Sequence, residues 1–216
     1  MTPHHPRRGL RDWMDLMVKD HGFLRLWWHN LDEFRPGVWR SNQPSPGRVH
    51  EAAARGIKTI VNLRGPRSDG GWRLEKEACD AAGISLVDFT IRSRAVPDLE
   101  VVLAAQNLFQ TVEYPILMHC KSGADRAGIM SALYLLLMEN ENPSVAGEML
   151  SLKYLHVRQA KTGLLDAFIQ AYAPAAAEGI SFIDWAKNEL DPEAIAAGFH
   201  ASTWAERLVD TVLRRE

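Results

Sequence analysis

The chain has 216 residues, of which 46% are hydrophobic and 24% are charged, and its formal net charge is −2. These values are typical of an ordinary soluble globular protein, and they exclude a disordered or fibrous chain. The length suits one domain better than two. Because the overall charge is close to neutral, nothing global predicts a nucleic-acid partner, and any site for an anion must be local.

Four short apolar segments are predicted to be strands, at residues 37–40, 58–63, 85–91 and 115–120. Helical patterns lie between them, and after position 126 the pattern becomes wholly helical, with predicted helices at 127–139, 144–154 and 164–172 and further helical stretches to the end. The alternation predicts an α/β fold: a short central, mostly parallel sheet of four to five strands flanked by helices, with a helical C-terminal extension.

The informative segment is His-Cys-Lys-Ser-Gly-Ala-Asp-Arg at 119–126, which joins the last predicted strand to a long helix. A loop of this size can turn its backbone N–H groups toward one point and bind an anion at the helix N-terminus. Cys120 would be stabilised there as a nucleophilic thiolate, and Arg126 can bind two phosphate oxygens through its planar guanidinium group. Gly123 supplies the conformational freedom for the turn, and His119 is placed to fix the loop by hydrogen bonding.

The alternative interpretation is a buried structural cysteine and an arginine at the surface. An isolated Cys and Arg at this spacing would favour that alternative. Here the apolar strand, the internal glycine and the apolar helix all agree with a phosphate-binding loop, so we favour a catalytic role for Cys120 and Arg126.

The motif Cys120-x5-Arg126 resembles the signature of the protein-tyrosine and dual-specificity phosphatase superfamily, and the resemblance extends over about 39–172. The segments 38–44 and 56–64 are similar to the beginning of the domain in compact atypical dual-specificity phosphatases of bacteria, fungi and plants. The resemblance implies a phosphocysteine intermediate on Cys120, phosphate binding by Arg126 and neither metal nor cofactor. It also implies that the backbone from Lys121 to Arg126 lines the phosphate site, with Lys121, Ser122, Gly123 and Ala124 as phosphate-binding residues.

With this resemblance, we assign residues 37–175 to a phosphatase domain. Residues 1–36 form a predicted N-terminal helical and aromatic segment, and residues 176–216 a helical C-terminal extension packed on the domain. The chain departs from the family at Ala127, where most members have Ser or Thr. That hydroxyl is thought to stabilise the departing thiolate, so we expect a longer-lived phosphoenzyme here.

Three aspartates are candidates for the general acid that protonates the leaving oxygen. Asp125 ranks first, because an Asp directly before the signature arginine resembles myotubularin-type lipid phosphatases. Asp88 ranks second, since it lies at the family's usual distance before Cys120 but inside a predicted strand. Asp98 ranks third, because an Asp at that position is also a good helix N-cap.

The predicted substrates are proteins phosphorylated on tyrosine, serine or threonine, or phosphoinositide and phospholipid head groups. Lys121 and Arg64 follow strand ends, where a cationic rim would suit a multiply anionic ligand. The aromatic and basic N-terminal segment is expected either to contact a membrane peripherally or to pack on the core.

The chain has two cysteines without a disulfide pattern and no signal-peptide pattern, which predicts a cytoplasmic protein, peripheral at the inner membrane face if that contact forms. Two alternatives remain open. One is a phosphate-recognising pseudophosphatase, which Ala127 would suit. The other is a rhodanese-type sulfurtransferase, which the position of Arg126 disfavours.

Overall fold

The computed structural model describes residues 29–200. Contacts within the chain divide these residues into two compact units. The first comprises residues 29–90 and 112–123, and the second comprises residues 91–111 and 124–200. The chain therefore passes from the first unit to the second inside the loop that the sequence singles out, between Gly123 and Ala124.

The first unit contains a five-stranded sheet, with strands β1 (Asp32–Arg35), β2 (Val38–Asn42), β3 (Thr59–Asn62), β4 (Ser85–Asp88) and β5 (Ile116–Cys120). The strand order is β1-β2-β5-β3-β4, and every pairing is parallel except that of β1 with β2. All five residues of β5 and all four of β3 are buried, which explains why their sequences are apolar runs rather than alternating patterns. The predicted α/β class with a short, mostly parallel sheet is confirmed.

Two helices of the first unit pack on this sheet, α1 (Pro46–Ala54) and α2 (Gly70–Ala82). A proline in the first turn begins α1, and the Asp69 side chain caps α2 by accepting a hydrogen bond from Trp72 N. The apolar core here comprises Val49, Ala52, Ile57, Ile60, Ala78, Cys79, Ile84 and Leu117. This core fixes the sheet edge at which the carboxyl ends of β5 and β3 lie side by side.

The second unit is helical, with α3 (Leu99–Thr111), α4 (Asp125–Met138), α5 (Pro143–Gly147), α6 (Leu164–Ala177) and α7 (Phe182–Asn188). Residues 192–200 are also helical, so the predicted helical C-terminal extension is confirmed as far as the structure describes it. An aromatic cluster joins α6 to α7, in which Tyr172 meets Phe182 edge to face with 5.1 Å between ring centroids. Most of α4 is buried, including Ala127, as its apolar sequence predicts.

Two elements differ from the prediction. Strand β1 was not predicted, because an antiparallel edge strand with charged residues at three of its four positions carries no apolar pattern. The predicted helix at 144–154 is wrong beyond Gly147, because Ser151 is extended and Leu155 has a positive φ of 64°. The chain there forms short 3₁₀ turns at Leu152–Tyr154 and Lys161–Gly163 instead.

Between residues 29 and 200, no helix is both long and apolar enough to cross a membrane. The aromatic residues on which the membrane-contact prediction rests, before residue 29, lie outside the described part of the chain. The domain boundaries at 36/37 and 175/176 stay predictions.

Candidate active site

Cys120 is the last residue of β5, the central strand of the sheet, and only 2% of its surface is exposed. Neither Cys120 nor Cys79 is in a disulfide. The Cys120 sulfur accepts a hydrogen bond from Gly123 N at 3.3 Å, so the loop curls back over the end of its own strand. Burial raises the pKa of Cys79 to about 12, with Glu75 and Asp80 adding to the effect, so the Cys79 thiol stays protonated at neutral pH.

The loop after Cys120 presents its carbonyl groups outward. Three consecutive carbonyl oxygens accept hydrogen bonds from donors outside the loop: Lys121 O from Gln43 N (3.5 Å), Ser122 O from Asn30 Nδ2 (3.2 Å) and Gly123 O from Arg40 Nη2 (2.7 Å). In a trans peptide the N–H group points opposite to the carbonyl before it. The amide groups of Ser122, Gly123 and Ala124 therefore face the inner side of the loop, where Gly123 N already bonds the cysteine sulfur. This is the arrangement of a backbone anion nest.

Gly123 is required at its position for two reasons. Its φ is +76°, a region that favours glycine, and a methyl group there would lie 2.7 Å from Asn42 N and 2.8 Å from Ser41 O. The loop backbone thus packs directly against the backbone at the end of β2. Ser41 and Asn42 are themselves buried, so they have little room to yield.

Arg40 was not among the residues that the sequence singled out as functional. It lies inside β2, is completely buried and donates from Nη2 to Gly123 O at 2.7 Å. A buried guanidinium is costly unless it is well bonded, so a position like this one indicates a specific task. The sequence contains no local signal for this role, because Arg40 is the last residue of the predicted strand 37–40 and its pairing with β5 is visible only in the structure.

A buried polar chain leads from Arg64 to the residue before the nucleophile. Arg64 Nη1 donates to Gln43 Oε1, and Gln43 Nε2 donates to Glu75 Oε2 at 3.0 Å. Glu75 Oε1 lies 2.6 Å from His119 Nε2, and both of these side chains are fully buried. His119 Nδ1 in turn is 3.4 Å from Cys120 O. The structure thus places His119 directly before the nucleophile, in contact with Glu75. Arg64, predicted as a substrate contact, is connected to Glu75 through Gln43.

In the second unit, Asp125 is the first residue of α4 and contacts a buried histidine. Asp125 Oδ1 lies 2.8 Å from His156 Nδ1, while His156 Nε2 lies 2.7 Å from Asp166 Oδ2. Arg158 Nε donates to the other oxygen of Asp166 at 2.8 Å. This cluster could not be predicted from the sequence, because its residues meet through a loop whose path was not predicted.

His156 is a cation at neutral pH. Burial lowers its pKa, but the hydrogen bonds and charges of Asp125 and Asp166 together outweigh burial and raise the pKa to about 9. The side chain of His156 is inaccessible to solvent, and that of Asp125 is 27% exposed. The carboxyl group of Asp125 therefore has a positively charged partner at neutral pH on one side and access to solvent on the other.

The other two aspartate candidates have structural partners. Asp88 ends β4 and accepts hydrogen bonds from Asn62 Nδ2 at 2.7 Å and from Trp72 Nε1 at 3.1 Å. Asp98 accepts a hydrogen bond from Val101 N at 2.9 Å and so caps the start of α3, as its alternative interpretation predicted.

The remaining predicted site residues lie in the loop and the first turn of α4. Arg126 is the second residue of α4 and is half-buried, Lys121 is half-buried, and Ser122 is exposed. Ala124 is buried, and so is Ala127 directly after the arginine, with no exposed surface.

Comparison with known proteins gives a consistent result. The family described as "DSP-PTPase phosphatase fused to NAD+ Kinase" matches residues 29–164, more than half of the chain. The dual specificity protein phosphatase TpbA of Pseudomonas aeruginosa (strain UCBPP-PA14) is 28% identical over 120 residues, 55% of this chain and 52% of TpbA. The chain thus spans about half the length of this curated relative.

Solved structures agree in fold. The crystal structure of Pseudomonas aeruginosa TpbA has a TM-score of 0.55 at 22% identity, covering 69% of this chain and 91% of that chain. The crystal structure of PTPMT1 has a TM-score of 0.51 at 17% identity, covering 68% of this chain and 99% of that one. At these identities the likeness concerns the fold alone. The family match over residues 29–164 goes further, and with it the chain belongs to the DSP-PTPase family of dual-specificity phosphatases.

Proposed function

We propose that this chain hydrolyses phosphomonoesters through a phosphocysteine intermediate on Cys120. The observation that carries the proposal is the loop after β5, whose carbonyl oxygens at 121, 122 and 123 are bonded outward, so that its amide groups face the cysteine side. Such a nest binds the equatorial oxygens of a phosphoryl group and stabilises the charge that they carry in the transition state. The Cys-x5-Arg motif supplies the nucleophile and the guanidinium group of Arg126.

The reaction has two balanced steps. In the first, the Cys120 thiolate attacks phosphorus, an S–P bond forms, the ester P–O bond breaks, and the leaving oxygen takes a proton from an acid. In the second, water attacks phosphorus, the S–P bond breaks to return the thiolate, and the proton from water passes to the base that gave up its proton before. Arg126 would bind two phosphoryl oxygens in both steps through its planar fork.

We propose Asp125 as the acid and base of these steps. Its carboxyl group is in the catalytic loop segment and partly exposed, whereas Asp88 is held by Asn62 and Trp72, and Asp98 caps a helix. Of the three, Asp125 is thus the one whose local contacts leave a side open for substrate.

For the substrate, we propose phosphorylated proteins first, with phosphotyrosine as the leading group. TpbA is named a dual specificity protein phosphatase, and a variant of it was crystallised in complex with phosphotyrosine. Anionic phospholipid or inositol phosphate head groups are the second candidate, since Lys121 and Asp125 in the loop favour them. Peripheral membrane contact through the N-terminal segment, the absence of a nucleic-acid partner and a cytoplasmic location also remain proposals; the free thiol that the mechanism requires supports a reducing compartment.

The test is phosphate release from a panel of phosphotyrosine, phosphoserine and phosphothreonine peptides, phosphoinositides and phosphatidylglycerophosphate, with the full chain under reducing conditions. Cys120→Ser is the inactive variant, and Cys79→Ser is its matched control, because Cys79 lies in the core between α2 and the sheet. We expect release by wild type and Cys79→Ser and none by Cys120→Ser. Acid-quenched enzyme should carry phosphate on the peptide containing Cys120.

Two results would contradict the proposal. Activity that survives in Cys120→Ser would rule out the thiolate mechanism. A folded, reduced chain that releases no phosphate from any substrate but binds phosphate-bearing ligands would favour a recognition module, the pseudophosphatase alternative.

A further inference from the structure

We propose that His156 is a positioning residue for the catalytic loop, which with Asp166 orients the Asp125 carboxyl group. The proposal deepens the proposed function and rests on it, since its kinetic readout is the acid role of Asp125. It concerns residues of the second unit only.

The geometry suits a charged imidazole between two ionised carboxylates. Both ring nitrogens of His156 lie within hydrogen-bonding distance of a carboxylate oxygen, at 2.8 Å for Asp125 and 2.7 Å for Asp166. An ionised carboxylate only accepts hydrogen bonds, and a neutral imidazole has a single N–H to donate. Both contacts are satisfied together only when His156 carries two N–H groups, which agrees with its pKa of about 9.

Asp166, on the side of His156 away from Asp125, is itself held in place. Asp166 lies on α6 and is 5% exposed, and its second oxygen accepts from Arg158 Nε at 2.8 Å. The charged groups that face His156 are therefore Asp125 from α4 and Asp166 from α6, with Arg158 behind Asp166. The His156 ring is therefore held from both sides, by Asp125 and by Asp166.

The backbone also holds His156 inward at a cost. Leu155, directly before it, has a φ of 64°, a conformation that is uncommon for a leucine. His156 N donates to Ser151 O at 3.1 Å, and Leu155 and Val157 on either side are 55% and 45% exposed. Leu155 is thus exposed and has an unfavourable backbone conformation, and this conformation is what directs His156 into the interior.

A consequence follows for the rate. The contact with His156 Nδ1 holds the Asp125 carboxyl group in one orientation, and an acid must be held within hydrogen-bond reach of the leaving oxygen to protonate it. Loss of the imidazole is therefore expected to slow the step in which Asp125 acts, and to lower kcat by about tenfold or more while KM changes little.

The experiment compares kcat and KM for wild type, Asp125→Asn, His156→Gln and the double variant Asp125→Asn/His156→Gln, with the exposed His50→Gln as the matched control. We expect kcat to fall by about tenfold or more in His156→Gln and to stay unchanged in His50→Gln. Because His156 acts through Asp125, adding His156→Gln to Asp125→Asn should cause little further loss. A folded His156→Gln with wild-type kcat, or a loss that is equally large in the Asp125→Asn background, would overturn the proposal, while the phosphatase mechanism would stand.

A second measurement does not depend on activity. NMR of histidine-labelled protein should find one imidazole that titrates near pH 9 and that titrates at lower pH in both Asp125→Asn and Asp166→Asn. If the wild type lacks phosphatase activity on every substrate, this titration still tests the coupling of the three side chains. A His156 resonance that ignores both substitutions would refute the coupling.

Discussion

Replacing Gly123 by alanine tests whether the loop conformation supports the proposed phosphatase activity. The alanine pays a backbone penalty of about 1–2 kcal/mol for a φ of +76°. Its methyl group would also meet Asn42 N and Ser41 C at 2.7 Å, distances that side chains do not tolerate, and overpacking of this kind costs about 1–3 kcal/mol more. The expected loss in the free energy of unfolding is the sum, about 2–5 kcal/mol.

The same clash should act on catalysis, because the loop must move away from β2 to relieve it. A displacement of about 1 Å at a reacting centre can lower the rate by about a hundredfold. The assay is kcat/KM on a phosphotyrosine peptide together with urea unfolding. Gly83→Ala is the matched control, since Gly83 has a φ of +70° but nothing within 4 Å of an added methyl group. Gly83→Ala should lose only the about 1–2 kcal/mol that an alanine costs at a positive φ, and should keep the kcat/KM of the wild type.

The refuting result is specific. If Gly123→Ala and Gly83→Ala lose the same stability, and Gly123→Ala keeps kcat/KM within about twofold of wild type, the loop is not clamped against β2. The outward bonding of its carbonyl groups would then not explain how phosphate is bound.

Three further predictions concern other parts of the site. Arg40→Met removes the donor to Gly123 O and should lower kcat/KM by about tenfold or more. It should also lower the free energy of unfolding, because a hydrogen bond from a charged donor contributes about 1.5–3 kcal/mol. An unchanged kcat/KM would contradict this role of Arg40. Ala127→Ser should accelerate hydrolysis of the phosphoenzyme, measured as the decay of labelled protein after rapid quench, whereas an unchanged decay rate would show that the missing hydroxyl is not limiting. Because the pKa of His156 is raised to about 9 in the folded chain, its contribution to stability is complete below its ordinary value of 6.5 and is lost as the pH rises through about 9. Urea unfolding at pH 6 to 10 should therefore show a decline in wild type that is smaller in His156→Gln, and parallel curves would refute the assignment.

Some features of this protein could be predicted from local sequence. The apolar runs at 58–63 and 115–120 predict buried strands, because a parallel strand is covered on both faces, and the structure has strands at Thr59–Asn62 and Ile116–Cys120. The segment 119–126 predicts the phosphate-binding loop, because a cysteine, a glycine and an arginine at fixed spacing can satisfy that chemistry within one turn of chain. Neither inference requires knowing what lies near the loop.

Other features were decided by tertiary structure. Arg40 and Gln43 belong to the site because β2 pairs in parallel with β5, with Asn42 opposite Cys120, and a strand partner so distant in sequence leaves no local signal. Asp166 reaches Asp125 through His156 because the chain leaves the helical path after Gly147, where the sequence pattern predicted that a helix would continue. The spacing of apolar residues predicts which side chains are buried, but not which elements they pack against. Partners of buried charges are chosen by the packing of separate elements, so they become visible only when those elements are assembled.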